Sequence, residues 1–306
     1  MQILFTRKVS EVLDHMPSSQ KFTVAERIRE KFQNLTRAER QLANSFLENY
    51  PMLGLGSITA AAETARVSTP TVVRMSKKLG FKGFSEMQAT LRDELEATIT
   101  NPIVKHDKWA ENAPDTHILN RFAEAVMENM RQTLKQINPE EFNAVVNLLK
   151  DKDRAVHVVG GRITRSLADY FFTHMQVIRK DLTLVASNSN TWPHYVLNME
   201  EGDILVAFDI RRYEHDIMRL AELATKKGVT LILFTDQWGS PVVNLAAHSF
   251  HSRIEAPSAW DSSVVTLFIL EAIIAGVETE TWGETKDRMK TLEDLFNQTS
   301  MFRKFK

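Results

Sequence analysis

The sequence contains no cysteine, and this absence excludes several kinds of chemistry. Without thiols there can be no disulfide framework, no thiolate zinc site and no catalytic cysteine. Long apolar runs are also missing: the longest, residues 264–277, is interrupted by Glu271 and is shorter than the roughly 20 residues of a membrane span. The N-terminal residues lack the basic-then-apolar layout of a secretion signal. We therefore expect a cytoplasmic protein with no membrane association.

Neither sign of charge is in excess, since 38 basic and 39 acidic side chains give a net charge of −1. An even distribution of that charge would argue against a nucleic-acid partner. The charge is not evenly distributed, because residues 1–100 carry +3 and the remainder −4. Residues 64–85 contain five basic and no acidic side chains. At 306 residues the chain is long enough for two domains, and the N-terminal one contains a concentrated basic segment.

The N-terminal part is predicted to be helical. Residues 1–20 are interpreted as a loosely held lead-in that Pro17 keeps from forming a helix. Residues 22–100 show apolar residues at helical spacing and no convincing strand. Thr36 and Glu39 form a capping-box pattern, so a helix should begin there. We assign 22–100 to a helical DNA-binding domain for the reason that follows.

A helix-turn-helix pattern lies within the basic segment. A short helix over residues 57–65 precedes a turn, and a second helix begins at Ser68 and ends at Gly80. The second helix of such a motif fits the major groove of DNA. We predict that Arg74 reads a guanine edge and that the lysines neutralise phosphates. The residues predicted to contact DNA are Ser68, Thr69, Pro70, Thr71, Arg74, Lys77, Lys78 and Lys82. The alternative is that this charge run is only a solvated helix face.

Three short stretches here resemble a known family. Residues 36–40 (TRAER), 68–75 (STPTVVRM) and 78–84 (KLGFKGF) are similar to the N-terminal domain of RpiR-type bacterial transcriptional regulators. The resemblance covers residues 23–100 and implies that residues 68–78 lie against operator DNA. It also implies a C-terminal SIS (sugar isomerase) domain.

The C-terminal part is predicted to be an α/β domain. We interpret Asn101 and Pro102 as the end of the helical domain, residues 101–117 as a linker, and residues 118–150 as two helices divided at Asn138 and Pro139. Beyond residue 150, five short apolar runs alternate with helical patterns, which indicates a five-stranded parallel sheet covered on both faces. A flavodoxin-like strand order of 2-1-3-4-5 fits this pattern. The effector-binding domain is expected to span residues 118–285.

Two loops of this domain carry arginines at one edge of the sheet. Ligands bind beyond the carboxyl ends of parallel strands where strand order reverses, between the first and third strands here. Guanidinium groups beside a helix N-terminus favour an anion such as phosphate or carboxylate. The predicted effector-binding residues are Gly160, Gly161, Arg162, Thr164, Arg165, Ser166, Asp209, Arg211, Arg212 and Ser258. Alternatively, the arginines are exposed or pair with Asp209, Glu214 or Asp216, and Ser258 or Asp261 is a plain helix cap.

Residues 150–280 resemble SIS domains, with two departures. SIS domains that bind sugar phosphates usually have a GxGxS loop, in which Arg162 here replaces the second glycine and Thr164 the serine. The usual serine-rich SxSGxT loop is replaced by residues 209–214 (DIRRYE). The resemblance therefore implies a divergent branch with an altered effector. Of the family's ligand contacts, only Thr164 and, weakly, Ser166 are carried over.

The sequence predicts no metal site and no cofactor. His248 and His251 are three apart in a predicted strand and should point to opposite faces. Residues 264–277 are apolar nearly all round, so this final helix is expected to be fully buried in the core or a subunit interface. Because helix-turn-helix proteins usually read a pseudo-palindrome, we expect a homodimer or a dimer of dimers joined mainly by the SIS domain.

The leading hypothesis is a transcriptional regulator, not an enzyme, whose SIS domain senses a small anionic metabolite such as a sugar phosphate or sugar acid. Activation and repression are equally open. The alternative is a SIS-fold sugar-phosphate isomerase, for which Glu271 or His215 would be the general base. A purely architectural DNA-binding protein would leave the arginine-bearing loops unexplained.

Overall fold

The computed structural model describes residues 22–111 and 117–302, so the lead-in predicted over residues 1–20 lies outside the described residues. The described chain divides into two units. The first comprises the residues up to Gln136 together with Arg253–Ser262. The second comprises Ile137–Ser252 and the residues from Ser263 onward. The return of residues 253–262 to the first unit is not apparent from the sequence.

The first unit is built from helices. Their bounds are α1 Val24–Lys31, α2 Arg37–Glu48, α3 Met52–Leu55, α4 Ile58–Thr64, α5 Thr69–Lys78, α6 Phe84–Ile99, α7 Pro102–Glu111 and α8 Ile118–Gln136. A short 3-10 turn, Phe32–Asn34, joins α1 to α2. The helical character predicted for residues 22–100 is confirmed.

Side-chain caps explain where these helices begin. The capping box predicted at Thr36 and Glu39 is confirmed, with each side chain bonded to the other residue's backbone N–H. A second capping box, at Thr23 and Glu26, begins α1. Its Thr-x-x-Glu signal was present in the sequence and was missed. The Ser57 hydroxyl accepts the Ala60 N–H at 3.0 Å and so caps α4 as expected.

The apolar faces of α1 to α6 form one core. Among its fully buried members are Phe46, Met75 and Leu91. Gly54 on α3 permits the close approach of two helices, because a Cβ there would lie 2.1 Å from Leu91 Cδ1. The core fixes which side of α5 faces inward.

Part of the predicted linker is helical. The Asn101 Oδ1 accepts the N–H groups of Ile103 and Val104, both at 3.0 Å, and Pro102 occupies the first position of α7. Asn-Pro was interpreted as the end of a domain, but the same pair can cap a helix and begin it. Residues 112–116 of the predicted linker lie outside the described residues.

The second unit contains a parallel sheet flanked by helices. Its elements are α9 Pro139–Lys150, β1 Val156–Gly160, α10 Arg165–Ile178, β2 Leu182–Leu184, α11 Trp192–Asn198, β3 Ile204–Phe208, α12 His215–Lys226, β4 Thr230–Asp236, β5 His248–Ser252, α13 Val264–Glu280 and α14 Trp282–Gln298. All pairs are parallel and the order is β2-β1-β3-β4-β5, which confirms the predicted topology. The division of residues 118–150 into two helices is also confirmed.

Apolar residues cover both faces of the sheet. All residues of β1 and β3 are buried, as expected for central parallel strands. On one face Phe208, Phe234 and Phe250 stack across adjacent strands, with ring centroids 5.0 and 5.2 Å apart. This packing fixes the carboxyl ends of the strands, where the candidate ligand loops begin.

The core of this unit covers α13 only in part, because Val264, Phe268, Glu271 and Ala275 form an exposed stripe at helical spacing. Two expectations for this unit were wrong. Helix α13 is not the final helix, since α14 follows it. In addition, β4 and β5 are joined by a 3-10 segment, Pro241–Leu245, rather than by an α-helix. Within residues 22–111 and 117–302, no helix is both long enough and apolar enough to cross a membrane.

Candidate functional site

The turn between α4 and α5 is held in one conformation. Arg66 lies in the left-handed backbone region, with φ of 51°. The Val67 N–H donates to the Ala62 carbonyl at 2.9 Å, and the Gln41 side chain donates to the Ala65 carbonyl at 2.8 Å. The predicted helix-turn-helix therefore has a fixed turn and a defined orientation of its second helix.

Helix α5 has a buried side and an exposed side. The buried residues are Thr71, Val72, Met75 and Ser76, with Leu79 at the C-terminal end. The exposed residues among those predicted to contact DNA are Ser68, Pro70, Arg74, Lys77, Lys78 and Lys82, and Thr69 is half-buried. The exposed side thus presents hydroxyl and cationic groups, the residue types that bind phosphates and base edges.

Thr71 differs from the other predicted DNA contacts because it is buried. Its Oγ1 lies 2.9 Å from the Ser68 Oγ and accepts a hydrogen bond from the Arg74 Nη2 at 3.0 Å. Ser68 is the N-cap residue, and its hydroxyl bonds to Thr71 instead of to a backbone N–H. Thr71 therefore positions Ser68 and Arg74 rather than facing solvent.

Lys78 is bonded within the unit. Its Nζ lies 2.7 Å from the Glu39 Oε2, and Glu39 is almost completely buried. Burial raises the pKa of the Glu39 carboxyl, but hydrogen bonds from Lys78 and Thr36 outweigh burial and hold that pKa below its ordinary value. The ion pair joins α5 to α2, a link across 39 residues that no local pattern predicts.

The loop after β1 is pinned to the end of β3 by one hydroxyl. The Thr164 Oγ1 accepts the Gly161 N–H at 2.8 Å and donates to the Phe208 carbonyl at 2.9 Å. Gly160 allows the loop to fold tightly, because a Cβ there would lie 2.5 Å from the Thr164 carbonyl oxygen. The Thr164 hydroxyl, carried over as a ligand contact, is therefore engaged in the loop itself.

A carboxylate of the chain lies against this loop. The Glu214 Oε1 accepts the Arg162 N–H at 2.8 Å. A Cβ at position 161 would lie 2.2 Å from the same oxygen, so the Glu214 carboxylate can hold this position only beside glycine. An anionic ligand that bound the Arg162 N–H would have to take the place of this carboxylate.

A cavity of about 300 Å³ lies beside the loop. Its lining residues are Gly160, Gly161, Arg162, Arg165, Ser187, Ser189, Trp192, Glu214 and Asp216. Two arginines and two carboxylates thus face the same space, so its charge is mixed. The Arg165 Nε pairs with Asp169 at 3.1 Å, and its Nη1 donates to the Val185 carbonyl. Four predicted residues, Gly160, Gly161, Arg162 and Arg165, are brought together.

Five lining residues were missed by the sequence analysis: Ser187, Ser189, Trp192, Glu214 and Asp216. The first three follow β2, whose carboxyl end lies beside that of β1 in the sheet. A signal for them existed in the polar stretch of residues 187–190 at that strand end. Glu214 and Asp216 begin α12 and were interpreted only as partners for arginines.

Asp209 is a buried structural group rather than an open ligand contact. Its Oδ1 accepts the Glu214 N–H at 3.1 Å, and its Oδ2 is bonded to the Ser240 hydroxyl. Burial raises the pKa of the Asp209 carboxyl to about 6, although these two hydrogen bonds act to lower it. Asp209 thereby ties the start of α12 to the segment after β4.

The structure does not bring the arginines of the two loops together at this cavity. Arg211 and Arg212 both lie in the left-handed backbone region, with φ of 51° and 55°. The Arg211 N–H donates to the buried Asp236 at 2.8 Å, and its guanidinium lies 4.7 Å from the centroid of the Trp238 ring. The turn therefore directs Arg211 toward the segment after β4, and neither arginine belongs to the lining of the cavity.

Ser258 and Asp261 are part of the first unit and do not cap α13, whose N-cap residue is Ser263. The Ser258 Oγ accepts the Trp260 N–H at 3.1 Å, and Asp261 pairs with Lys105 at 2.6 Å. The interpretation of Ser258 or Asp261 as a plain cap of this helix is thus wrong, and Ser258 is not among the residues that line the cavity.

The remaining candidates lie apart from the cavity. Glu271 accepts the Tyr170 hydroxyl at 2.7 Å, and His215 is the exposed first residue of α12. Ser166 is also exposed, and its hydroxyl donates to the Ile163 carbonyl at 3.0 Å. In the part of the chain that the structure describes, no three histidine or acidic side chains form a group that could hold a metal ion.

Comparison with family models gives a consistent assignment. The model of the helix-turn-helix domain of the rpiR family matches residues 22–98, and the SIS domain model matches residues 148–276. The two matches together span about two thirds of the chain. They define a helix-turn-helix transcriptional regulator with a SIS domain. The chain belongs to the RpiR-type family of such regulators.

Similar proteins agree with this assignment. The HTH-type transcriptional regulator HexR of Pseudomonas aeruginosa is 24% identical over 262 residues, covering 82% of this chain and 88% of HexR. An uncharacterized HTH-type transcriptional regulator of Haemophilus influenzae is 23% identical over 289 residues, covering 90% and 97%.

Solved structures share the fold. The Vibrio vulnificus NanR protein complexed with ManNAc-6P has a TM-score of 0.53 and 19% identity, covering 90% of this chain and 98% of NanR. The sugar isomerase domain of an RpiR transcription factor from Sphaerobacter thermophilus has a TM-score of 0.53 and 20% identity, covering 57% and 97%.

Proposed function

We propose that this chain regulates transcription by binding operator DNA through α5 and by sensing a small anionic metabolite at the loop after β1. Bound metabolite changes the affinity for the operator. The observation that carries the DNA-binding part is that α5 exposes Arg74 and Lys77 on one side, while its opposite side is packed in the core. A ligand shifts such an equilibrium only by binding one state more tightly than the other.

The DNA-binding part is supported by charge and by order along α5. Ser68, Thr69 and Pro70 begin the helix, so its first backbone N–H groups can approach phosphates closely. Arg74 lies one turn further on and is oriented by Thr71, which leaves its other guanidinium donors for a base edge. Lys77 and Lys82 are placed as phosphate contacts.

In-vitro selection from a random duplex pool tests this part. The full-length protein should enrich one duplex sequence, and Arg74→Ala should lose preference at one base position, by about 1–3 kcal/mol. Arg92→Ala is the matched control, because Arg92 is an exposed arginine on α6, outside the motif. An Arg74→Ala protein that enriches the same sequence with the same stringency would refute the assignment of Arg74.

The sensing part is supported by the cavity beside the β1 loop. Arg162 and Arg165 supply positive charge there, and Trp192 supplies an apolar wall suited to a sugar ring. The Arg162 N–H is the donor that the anion would use in place of Glu214. The related NanR structure contains a sugar phosphate, which makes that chemical class the first to test.

Competition between Glu214 and the effector gives a specific test. Glucose 6-phosphate, 6-phosphogluconate and uncharged glucose are compared by thermal shift on the full-length protein, because a ligand that binds the native state raises its apparent stability. Glu214→Gln should tighten binding of the anionic probes that shift the wild type. Asp216→Asn removes a charge from the same cavity without touching the loop, so it should tighten binding less.

Equal effects of the two substitutions would show general charge repulsion and refute direct competition at Arg162. Binding of uncharged glucose equal to that of the anions would refute the anionic class.

The proposal further includes a homodimer, since a two-fold symmetric protein matches two operator half-sites. The exposed stripe of α13 (Val264, Phe268, Glu271 and Ala275) is available for a second copy. The proposed role is regulatory: residues 22–98 match the helix-turn-helix model, and the two residues considered as general bases, Glu271 and His215, are not among the cavity-lining residues.

A further inference from the structure

Residues Arg253–Ser262, here called the strap, have an unusual path. The strap follows Ser252, the last residue of β5, and precedes Ser263, the N-cap residue of α13. Both neighbours belong to the second unit, whereas the strap belongs to the first. The chain therefore leaves the sheet, packs with helices α1, α7 and α8 of the first unit, and returns.

Hydrogen bonds hold the strap along its length. The Arg253 N–H donates to the Thr133 Oγ1 at 3.0 Å, and the Asn129 side chain donates to the Glu255 carbonyl at 2.7 Å. At the other end, the Lys105 Nζ pairs with Asp261 at 2.6 Å. Thr133 and Asn129 lie on α8, and Lys105 lies on α7.

The central contact of the strap is a buried ion pair. The Arg253 Nε and Nη2 donate to the two carboxylate oxygens of Glu26 at 2.7 and 2.5 Å, and the side chains are only 5% and 2% exposed. Burial disfavours both charges, but their hydrogen bonds hold the pKa of Glu26 below its ordinary value and that of Arg253 above it. Both groups are therefore ionised.

Stability alone does not account for this pair. Burying two charges carries a large desolvation cost, and apolar replacements of similar volume are often as stable or more so. A bidentate arginine–carboxylate pair instead fixes geometry closely. The same Glu26 carboxylate caps α1 through the Thr23 N–H at 2.7 Å and accepts the Gln136 side chain at 2.9 Å. Glu26 therefore links Arg253 directly to the beginning of α1.

Arg27, the next residue on α1, contacts the end of α5. The Arg27 Nη1 donates to the carbonyl of Leu79 at 3.1 Å, and Leu79 is the C-cap residue of α5. The Arg27 guanidinium also stacks on the Phe81 ring, 4.4 Å from its centroid. A continuous series of contacts thus leads from Arg253 through Glu26 and Arg27 to the end of α5.

We propose that the Arg253–Glu26 pair is a positioning contact that couples the end of β5 to helix α5. A change at β5 displaces the strap, and Glu26 and Arg27 pass that displacement to Leu79. The inference rests on the proposed function, because it takes α5 as the helix that binds DNA.

Hydrogen exchange on the full-length protein tests the coupling without an identified effector. Coupling is reciprocal, so a duplex bound at α5 must alter the opening of the strap. The probe is the duplex enriched by the in-vitro selection. In the wild type we expect the duplex to slow exchange of amides in residues 253–262 by at least about fivefold, the lower end of ordinary allosteric coupling.

Two variants and one control isolate the ion pair. Arg253→Lys keeps the charge but cannot bond both carboxylate oxygens in the same way, and Arg253→Met removes the charge. Both variants should still bind the duplex. In both, the duplex should protect the amides of the strap less than half as strongly as in the wild type. Lys105→Met removes the ion pair with Asp261 at the far end of the strap and should retain the full change.

Three results would overturn the inference: a wild-type protein that binds the duplex with no change in the strap, an Arg253→Lys protein with full protection, or a Lys105→Met protein that loses protection equally. Failure of the wild type to bind any duplex would instead overturn the proposed function, and this inference with it.

Discussion

Adjacent lysines of α5 are expected to respond differently to the same substitution. Lys77 and Lys78 were both predicted to neutralise phosphates, but the structure gives Lys78 a buried partner, Glu39, at 2.7 Å. Lys77→Ala should weaken DNA binding and leave folding unchanged. Lys78→Ala should destabilise the protein and weaken DNA binding less, because its ammonium is already neutralised within the chain.

The size of the stability effect follows from the geometry. An exposed ion pair is worth about 0.2–1 kcal/mol, and a hydrogen bond to a charged group about 1.5–3 kcal/mol. The Lys78 side chain is 42% exposed, so solvent screens the pair, whereas Glu39 is 1% exposed and keeps a bond from the Thr36 N–H. We therefore expect Lys78→Ala to lower the free energy of unfolding by about 1 kcal/mol. Lys77→Ala should change it by less than about 0.5 kcal/mol.

The two effects are measured separately. Urea denaturation of the full-length variants gives the free energies of unfolding, and fluorescence anisotropy on the selected duplex at several salt concentrations gives the dependence on counterions. Loss of one phosphate contact reduces the slope of log affinity against log salt by about 0.9. Lys77→Ala should show that reduction, and Lys78→Ala less than half of it. Equal slopes together with equal stabilities would refute the assignment of Lys78 to Glu39.

Two further predictions concern the sheet end. Because the native pKa of Asp209 is raised to about 6, the native state binds that proton more tightly than the unfolded chain, so its contribution to stability falls as pH rises from about 4 to about 6. The resulting fall in the free energy of unfolding is about 3 kcal/mol at most, and Asp209→Asn should abolish it. Urea denaturation between pH 4 and 7 measures this dependence on pH. An unchanged dependence in the variant would contradict the argument that burial raises the pKa of Asp209. Thr164→Val leaves the Gly161 N–H and the Phe208 carbonyl without their shared hydroxyl, so it should lower the free energy of unfolding by about 1–3 kcal/mol. Thr164→Ser keeps the hydroxyl and should lower it much less. Equal stabilities of the two variants would show that this hydroxyl is not needed.

Local signals in the sequence predicted most of the fold. The capping box at Thr36 places the start of α2, and the alternation of apolar strands with helices predicts the parallel sheet and its order. The same kind of reasoning misjudged Asn101 and Pro102, since this pair can end one helix or begin another. Composition alone did not show that one stripe of α13, which includes Val264 and Phe268, lies outside the core of the single chain.

The candidate ligand site was predicted only in part, for a physical reason. Its loops were located because parallel strands end at one edge of the sheet, and Arg162 and Arg165 do lie together there. The directions of Arg211 and Arg212 depend on left-handed backbone angles at two non-glycine residues, which the sequence does not signal. The pairing of Glu26 with Arg253 joins residues 227 positions apart, beyond the reach of any local pattern.

The central claim is that α5 is the element that reads DNA. A structure of the full-length protein bound to the selected duplex tests it most directly. We expect the N-terminal half of α5 in the major groove, with the Arg74 guanidinium within hydrogen-bond distance of a base edge. A complex with another element in the groove, or with Arg74 away from the bases, would contradict this claim.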